Sequence, residues 1–417
     1  MVVIKGVSAK SILNSRGEKT IQIFIKTDFG NFSASAPQGK STGKYEAKPY
    51  RKSLEEEIKT IKKFSDYFSE EILEKFDDLK RIEDIVEGHI GANTLFALES
   101  ASLKAIAKEM KKEIWELINP NAKKLPRLVG NCIGGGKHSQ PVSGKKPDFQ
   151  EFLLIPKEKS GPGGVSFGVK RSLEINQKAK KQIENFLKEY DKNFKSQKND
   201  EDAWNTSLNE KEILEIIKKI YYDLDFGLDV AASGFFKRKK YHYENPKLDR
   251  TAEEQISYLS NLIKNFNLFY IEDPFEEDDF ESFTKLLKKF PDSLIVGDDL
   301  TVTNSKLLEK AIKLKSINAV IVKPNQNGSL IEVKKVCELA KKNNIKIVFS
   351  HRSGETQESI LADLAFGFQA DFFKCGITGK EREVKIKRLI EIEKSFDKPL
   401  LRLKPKQRLI EIEKSLK

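Results

Sequence analysis

From residue 226 onward, short apolar runs end in a charged or strongly polar residue at a nearly fixed interval. Phe226-Gly227-Leu228 leads to Asp229, Leu268-Phe269-Tyr270-Ile271 to Glu272, and Leu294-Ile295-Val296-Gly297 to Asp298. Ala319-Val320-Ile321-Val322 leads to Lys323, the run Ile345-Lys346-Ile347-Val348-Phe349 to Ser350 and His351, and Phe372-Phe373 to Lys374. After a first step of 43 residues, the steps from 272 through 298, 323, 351 and 374 are 26, 25, 28 and 23. A step near 25 suits one strand, one helix and two short loops. Serial units of this kind open into a doubly wound sheet or close into a barrel. A barrel is favoured here, because all its strand ends converge on one mouth. Residues 127–417 number 291, enough for the roughly 250 of an eightfold α/β barrel.

The chain ahead of the barrel reads differently. Thr20–Ile25 and Phe32–Ala36 flank a turn at Asp28-Phe29-Gly30-Asn31, which predicts a hairpin. Leu54, Ile58, Ile61 and Phe64 recur at helical spacing, as do Ala92, Leu95, Leu98, Ala101 and Ala105. A linker with Asn119-Pro120-Asn121 and Leu125-Pro126 closes this part. The expected organisation is a small α+β domain over 1–126 and a barrel over 127–417.

Composition removes several classes. No apolar run approaches the roughly 20 residues that span a bilayer, and Met1–Lys5 is too short for a signal peptide. The 75 Lys and Arg are interleaved with 63 Asp and Glu, so the formal charge of +12 reads as solvated helix faces and not as a nucleic-acid stripe. Cys132, Cys337 and Cys375 lack metal-ligand spacing and read as free thiols in a reducing cytosol. Gly39-Lys40-Ser41-Thr42-Gly43 has no glycine five residues before a Gly-Lys-Ser triplet, so it is not a nucleotide loop.

The strand ends carry the chemistry. Asp229, Glu272 and Asp298 would repel one another in a shared mouth unless a cation sat between them. All-oxygen donors point to a hard ion, Mg²⁺ first. Lys323 would face that ion, whose charge would lower the ammonium's pKa and allow Lys323 to act as a general base. A metal beside a lysine base suggests proton abstraction next to a carboxylate. His351, Arg352, Ser353 and Lys374 would supply anion contacts. The plainer alternatives are acids that merely terminate strands and a lysine that merely pairs with them.

The motifs Asn14-Ser15-Arg16-Gly17, Gly135-Gly136-Lys137-His138, Gln150-Glu151-Phe152, Asp229-Val230-Ala231-Ala232-Ser233, Ile271-Glu272-Asp273-Pro274-Phe275, Gly297–Asn304 and Ser350–Thr356 occur in that order. With them the chain resembles enolase (phosphopyruvate hydratase), in an archaeal-like form, over residues 7–395. The resemblance implies a TIM-like (β/α)8 barrel of the enolase type behind an α+β capping domain. It also implies reversible dehydration of 2-phosphoglycerate to phosphoenolpyruvate with two Mg²⁺ per site. Asp229, Glu272 and Asp298 would hold the first ion, and Ser41 would help to hold the second as its loop closes. Lys323 would be the base and Glu201 the acid, with Gln150 and Glu151 beside it. Arg352 and Ser353 would hold the phosphate and Lys374 the carboxylate end, while His138 and His351 close over the substrate. A homodimer or higher homo-oligomer in the cytoplasm is implied too, although Gln22 stands where such dimers carry an acid.

The loop Asn199-Asp200-Glu201-Asp202 departs from the resembled pattern, which has glycine at 199 and 202. Where such a glycine needs positive φ, Asn tolerates it and Asp less well, and the extra carboxylate of Asp202 is expected to raise the pKa of Glu201. The alternative function is an enolase-like protein of reduced activity with a binding or scaffold role. Arg388–Ser395 returns identically at Arg408–Ser415, which suggests two similar amphipathic segments. His89 and His242 match no motif.

Overall fold

The computed structural model describes residues 1–40, 42–69, 71–157 and 168–402, with side chains to Ser395. Ser41 and the second copy of the repeat, 408–415, lie outside the described residues.

The amino-terminal part is an antiparallel sheet of Gly6–Leu13, Lys19–Thr27 and Gly30–Ser35. Its hairpin at 27–30 is the expected one, whereas Gly6–Leu13, a strand without clean alternation, was not anticipated. The sheet packs on the helix Ala92–Glu109, whose 18 residues bury small side chains at nearly every turn. A second helix, Leu54–Phe64, starts at Ser53, whose hydroxyl accepts from the Glu56 N–H.

Eight strands then close a barrel: Arg127–Gly134, Glu151–Pro156, Leu224–Asp229, Tyr270–Glu272, Leu294–Gly297, Ala319–Val322, Lys346–Ser350 and Phe372–Lys374. It is not uniformly parallel. The second strand runs antiparallel to both neighbours, and the other pairings are parallel. The reason is local. Residues 135–150 form a loop between the first two strands and contain no helix that could carry the chain back to the far end.

Strand periodicity positions the site. Val129, Leu153, Ile155, Tyr270, Leu294, Val296, Ala319, Ile321, Val348 and Phe372 form an inner cluster, separate from the core under the helices. Side chains alternate faces every residue. Counting by twos toward the mouth from that inner layer therefore reaches Asn131, Glu151, Glu272, Asp298, Lys323, Ser350 and Lys374. Asp229 joins them by register, opposite both Glu151 and Glu272.

The amino-terminal part is pinned across the mouth. The amide of Asn325 donates to Pro37 O at 3.1 Å and to Asn93 Oδ1 at 2.9 Å. The Ser35 hydroxyl meets Thr356 Oγ1 at 2.8 Å, and Gln38 bridges Gly354. Gly328 sits at φ +88°, where an added Cβ would lie 2.5 Å from Ala92 O. Gly328→Ala is expected to cost about 1–3 kcal/mol, from strain plus loss of this fit, read as a lower chemical-unfolding midpoint.

Candidate active site

One pocket gathers His138, Gln150, Glu151, Glu201, Asp229, Asp298, Lys323, His351, Arg352, Ser353 and Lys374. Glu272 lies at its floor, fully buried. Every described residue given a site role from the sequence is therefore here.

On the floor, Lys374 Nζ is 2.9 Å from Asp229 Oδ2, 2.8 Å from both Glu272 oxygens and 3.2 Å from Glu151 Oε2. Lys323 pairs with Asp298 Oδ2, whose other oxygen accepts from Gln326 Nε2 at 3.1 Å. Asp273, Asp298 and Asp299 bring their oxygens within 4.8 Å of one another. Six buried carboxylates thus face two ammonium groups. Burial, followed by repulsion from Asp229, pushes Glu272 up to about 7, and burial with Asp298 pushes Asp299 up to about 8. The surplus of buried oxygen donors over cations fits a hard divalent ion, and among the described residues the group Asp273, Asp298 and Asp299 contains neither a thiol nor a histidine. At Lys323 two effects compete. Burial opposes its charge, but Asp298 outweighs that and raises its pKa. Without the ion's charge, the ammonium form is held.

On the opposite wall, Glu201 Oε1 lies 3.4 Å from His138 Nδ1 and 3.7 Å from His351 Nε2. Its Oε2 accepts from Asn131 Nδ2 at 3.0 Å. Burial favours the neutral acid, yet His138, His351 and Arg382 together hold Glu201 well below the usual carboxylate range. Glu151 goes the other way, driven up by burial and then by Glu201. Of this carboxyl pair, Glu151 is the member whose surroundings favour the protonated form. Burial also drives the His351 pKa well down, against the pull of Glu201.

The loop bearing Glu201 corrects two expectations. Asn199 stands where glycine was the reference and does not adopt positive φ. Its side-chain oxygen instead accepts from the Glu201 and Ala203 N–H groups, both at 2.9 Å. Asp202 does adopt it, φ +64°, but its carboxylate turns away from Glu201 onto Lys180, Lys198 and Thr378. It does not raise the pKa of Glu201.

The anion end is built around Arg352. Glu46 accepts from its two terminal nitrogens at 2.9 and 3.1 Å, and Asn325 Oδ1 accepts from Nη1 at 3.2 Å. Gly39 lies flat against the guanidinium, where an added Cβ would fall 1.8 Å from Nη2. Arg16 donates to the Ser353 hydroxyl. Arg16, Glu46, Asn131, Asp273, Asp299 and Arg382 were not assigned roles from sequence. Asn131, a polar residue inside an apolar run, carried a usable signal; Arg382, on a helix full of charges, carried none. His89 packs at a tilt against Phe64 with ring centres 4.9 Å apart, and His242 bridges Asp249 and Lys237 O.

The chain matches the family descriptions "Enolase, N-terminal domain" over residues 4–118 and "Enolase, C-terminal TIM barrel domain" over 122–400. Its relatives include proteins named Enolase from Methanosphaera stadtmanae, at 35% identity over 95% of this chain and 98% of the relative, and from Archaeoglobus fulgidus, at 34% over 95% and 99%. Another, from Methanocorpusculum labreanum, is 36% identical over 95% of this chain and its own full length. Among the described residues no helix is long and apolar enough to cross a membrane. With the two-part architecture and the acid-lined mouth, these matches establish that the chain belongs to the enolase family of hydro-lyases, the phosphopyruvate hydratases.

Proposed function

We propose that the pocket converts 2-phosphoglycerate to phosphoenolpyruvate and water, reversibly, with Lys323 as base and Glu201 as acid. The observation that carries this is their placement. Lys323 follows the sixth strand, whereas Glu151 opens the second and Glu201 is bonded to Asn131 of the first, across a closed barrel of eight. A three-carbon substrate held between them is reached from both sides. Lys323 Nζ takes the proton from carbon 2. The electron pair left behind forms the carbon–carbon double bond as the carbon 3 hydroxyl departs, and that hydroxyl leaves as water with a proton from the Glu201–Glu151 pair. Arg352 and Ser353 hold the phosphate, and His138 and His351 flank the leaving hydroxyl. Lys374 lends positive charge to the carboxylate end.

Asp229, Glu272 and Asp298 would hold one Mg²⁺ and Ser41 would help with a second. These ions supply the positive charge that makes the carbon 2 proton acidic enough to remove. The domain division at 126/127, a homodimer and a cytoplasmic site belong to the same reading, the last supported by three buried free thiols. The scaffold alternative gains nothing from a site this complete.

The test is phosphoenolpyruvate formation followed by ultraviolet absorbance, with Mg²⁺ and after chelation. Chelation is expected to abolish turnover and Mg²⁺ to restore it; turnover that survives full chelation would sink the ion assignment. Stability gives an independent readout. Glu272 near 7 and Asp299 near 8 lie above their ordinary values of 4.5 and 3.8. Protonated, they stabilise the ion-free fold at low pH, and that contribution is lost as pH rises through 7 and 8. The ion-free melting temperature should therefore lose this contribution from about pH 5 up to about pH 8 and level off above it, and Mg²⁺ should remove most of the fall. Parallel curves with and without Mg²⁺ would contradict this.

A further inference from the structure

One of the left-handed backbones near the site belongs to Asp202. Its φ of +64° is a conformation that favours glycine and that aspartate reaches only with help. The help is ionic and comes from three directions. Lys180, on the helix Val169–Tyr190, donates to the Asp202 carbonyl and lies 3.3 Å from Oδ2. It also donates to Thr378 Oγ1 at 2.6 Å, and that hydroxyl donates on to Asp202 Oδ2. Lys198 places its ammonium 3.0 Å from both carboxylate oxygens.

Lys180 is the informative member. Its side chain is buried, 5.7 Å from the centre of the Trp204 ring, and Asp202 is its one carboxylate partner among the described residues. Burying an ammonium is costly unless it is paired and hydrogen-bonded. The pair therefore needs each member: Asp202 compensates the buried charge, and Lys180 holds Asp202 in its strained backbone. Between them they tie three pieces of chain together, namely the long helix, the turn after the eighth strand and the loop bearing Glu201. On the other side of Glu201, Arg382 donates to Asp200 O at 3.1 Å and Asn199 caps the loop.

We propose that Asp202 and Lys180 are positioning residues for the acid, a cross-tie that fixes the Glu201 carboxyl at the mouth before substrate arrives. The inference rests on the reading of Glu201 as acid and deepens it. Neither residue touches the reacting atoms. Their effect falls on hydroxyl departure and not on proton removal, because Lys323 is held by separate contacts on the far wall.

That asymmetry sets the test. Asp202→Gly removes the tie and relieves the strain, and Lys180→Met removes the charge while keeping the length. For each, two rates are measured on 2-phosphoglycerate in deuterated water with Mg²⁺: exchange of the carbon 2 proton and formation of phosphoenolpyruvate. Both variants are expected to lose about 10–100-fold in dehydration kcat, within the range that a mispositioned acid commands. KM should stay within about twofold and exchange should persist, so the ratio of exchange to dehydration rises at least tenfold. Asp202→Asn keeps the shape, the hydrogen bond from Thr378 and the tolerance for positive φ, and should recover part of the loss. An unchanged ratio in Asp202→Gly overturns the proposal even if Lys180→Met fails to fold, because glycine suits that backbone. Glu201→Gln runs alongside. If it leaves dehydration intact, the acid assignment is wrong; if it blocks dehydration while Asp202→Gly does not, only the cross-tie is wrong.

Discussion

Lys323→Ala is expected to lower kcat for phosphoenolpyruvate formation by about 10²–10⁴-fold, the range that a positioned base commands, with KM little changed. Carbon 2 exchange should disappear in parallel, since the same group removes the proton in both measurements. No neighbour is placed to take over. Lys374 is already held by Glu151, Asp229 and Glu272, and Arg352 is fixed by Glu46 and Asn325. The Lys323 main chain is equally fixed, its N–H donating to Thr303 Oγ1 at 2.9 Å. Exchange at the parental rate in the alanine variant would mean that another group is the base.

Glu201→Gln should produce the complementary defect. Dehydration is expected to fall by about 10²–10⁴-fold while carbon 2 exchange continues. Glutamine preserves the length and can still accept from Asn131, so the site should keep its shape. It lacks the proton-transfer capacity, and the Glu151 proton loses its acceptor on the path to the leaving hydroxyl. Mixing the two single variants should not rescue turnover, because each site needs both groups. If dehydration and exchange fall together in Glu201→Gln, the carboxyl acts in proton removal or in binding instead.

The barrel was readable because its strands announce themselves twice. Ala319-Val320-Ile321-Val322 is apolar on both faces, as a strand covered by helices must be, and it stops at a lysine. The same doubling marks Leu294–Gly297 and Tyr270–Glu272. The reversed second strand gave no such warning. Glu151–Pro156 is as apolar as its neighbours, and direction depends on what precedes a strand, here a loop with no helical period. At the site, single residues on strand ends were recoverable, since parity fixes which way they face. Residues acting through a partner were not. Arg16 and Arg382 reach the mouth from a turn and a helix, and nothing local distinguishes them from the many other cations of this chain. Proton placement was also hidden: whether Glu151 or Glu201 is neutral depends on two histidines 213 positions apart, His138 and His351.

The reversed strand has an architectural consequence for exchange between relatives. The first two strands and their loop form one continuous piece, residues 127–156, and that piece alone delivers Asn131, His138, Gln150 and Glu151. The proposed ion ligands Asp229, Glu272 and Asp298 come from separate units, at the ends of the third, fourth and fifth strands. Recombination that swapped 127–156 between two family members would move much of the acid-side wall intact, as a cassette. No single crossover of similar length could carry the floor, so the two halves of the pocket are open to different modes of inheritance.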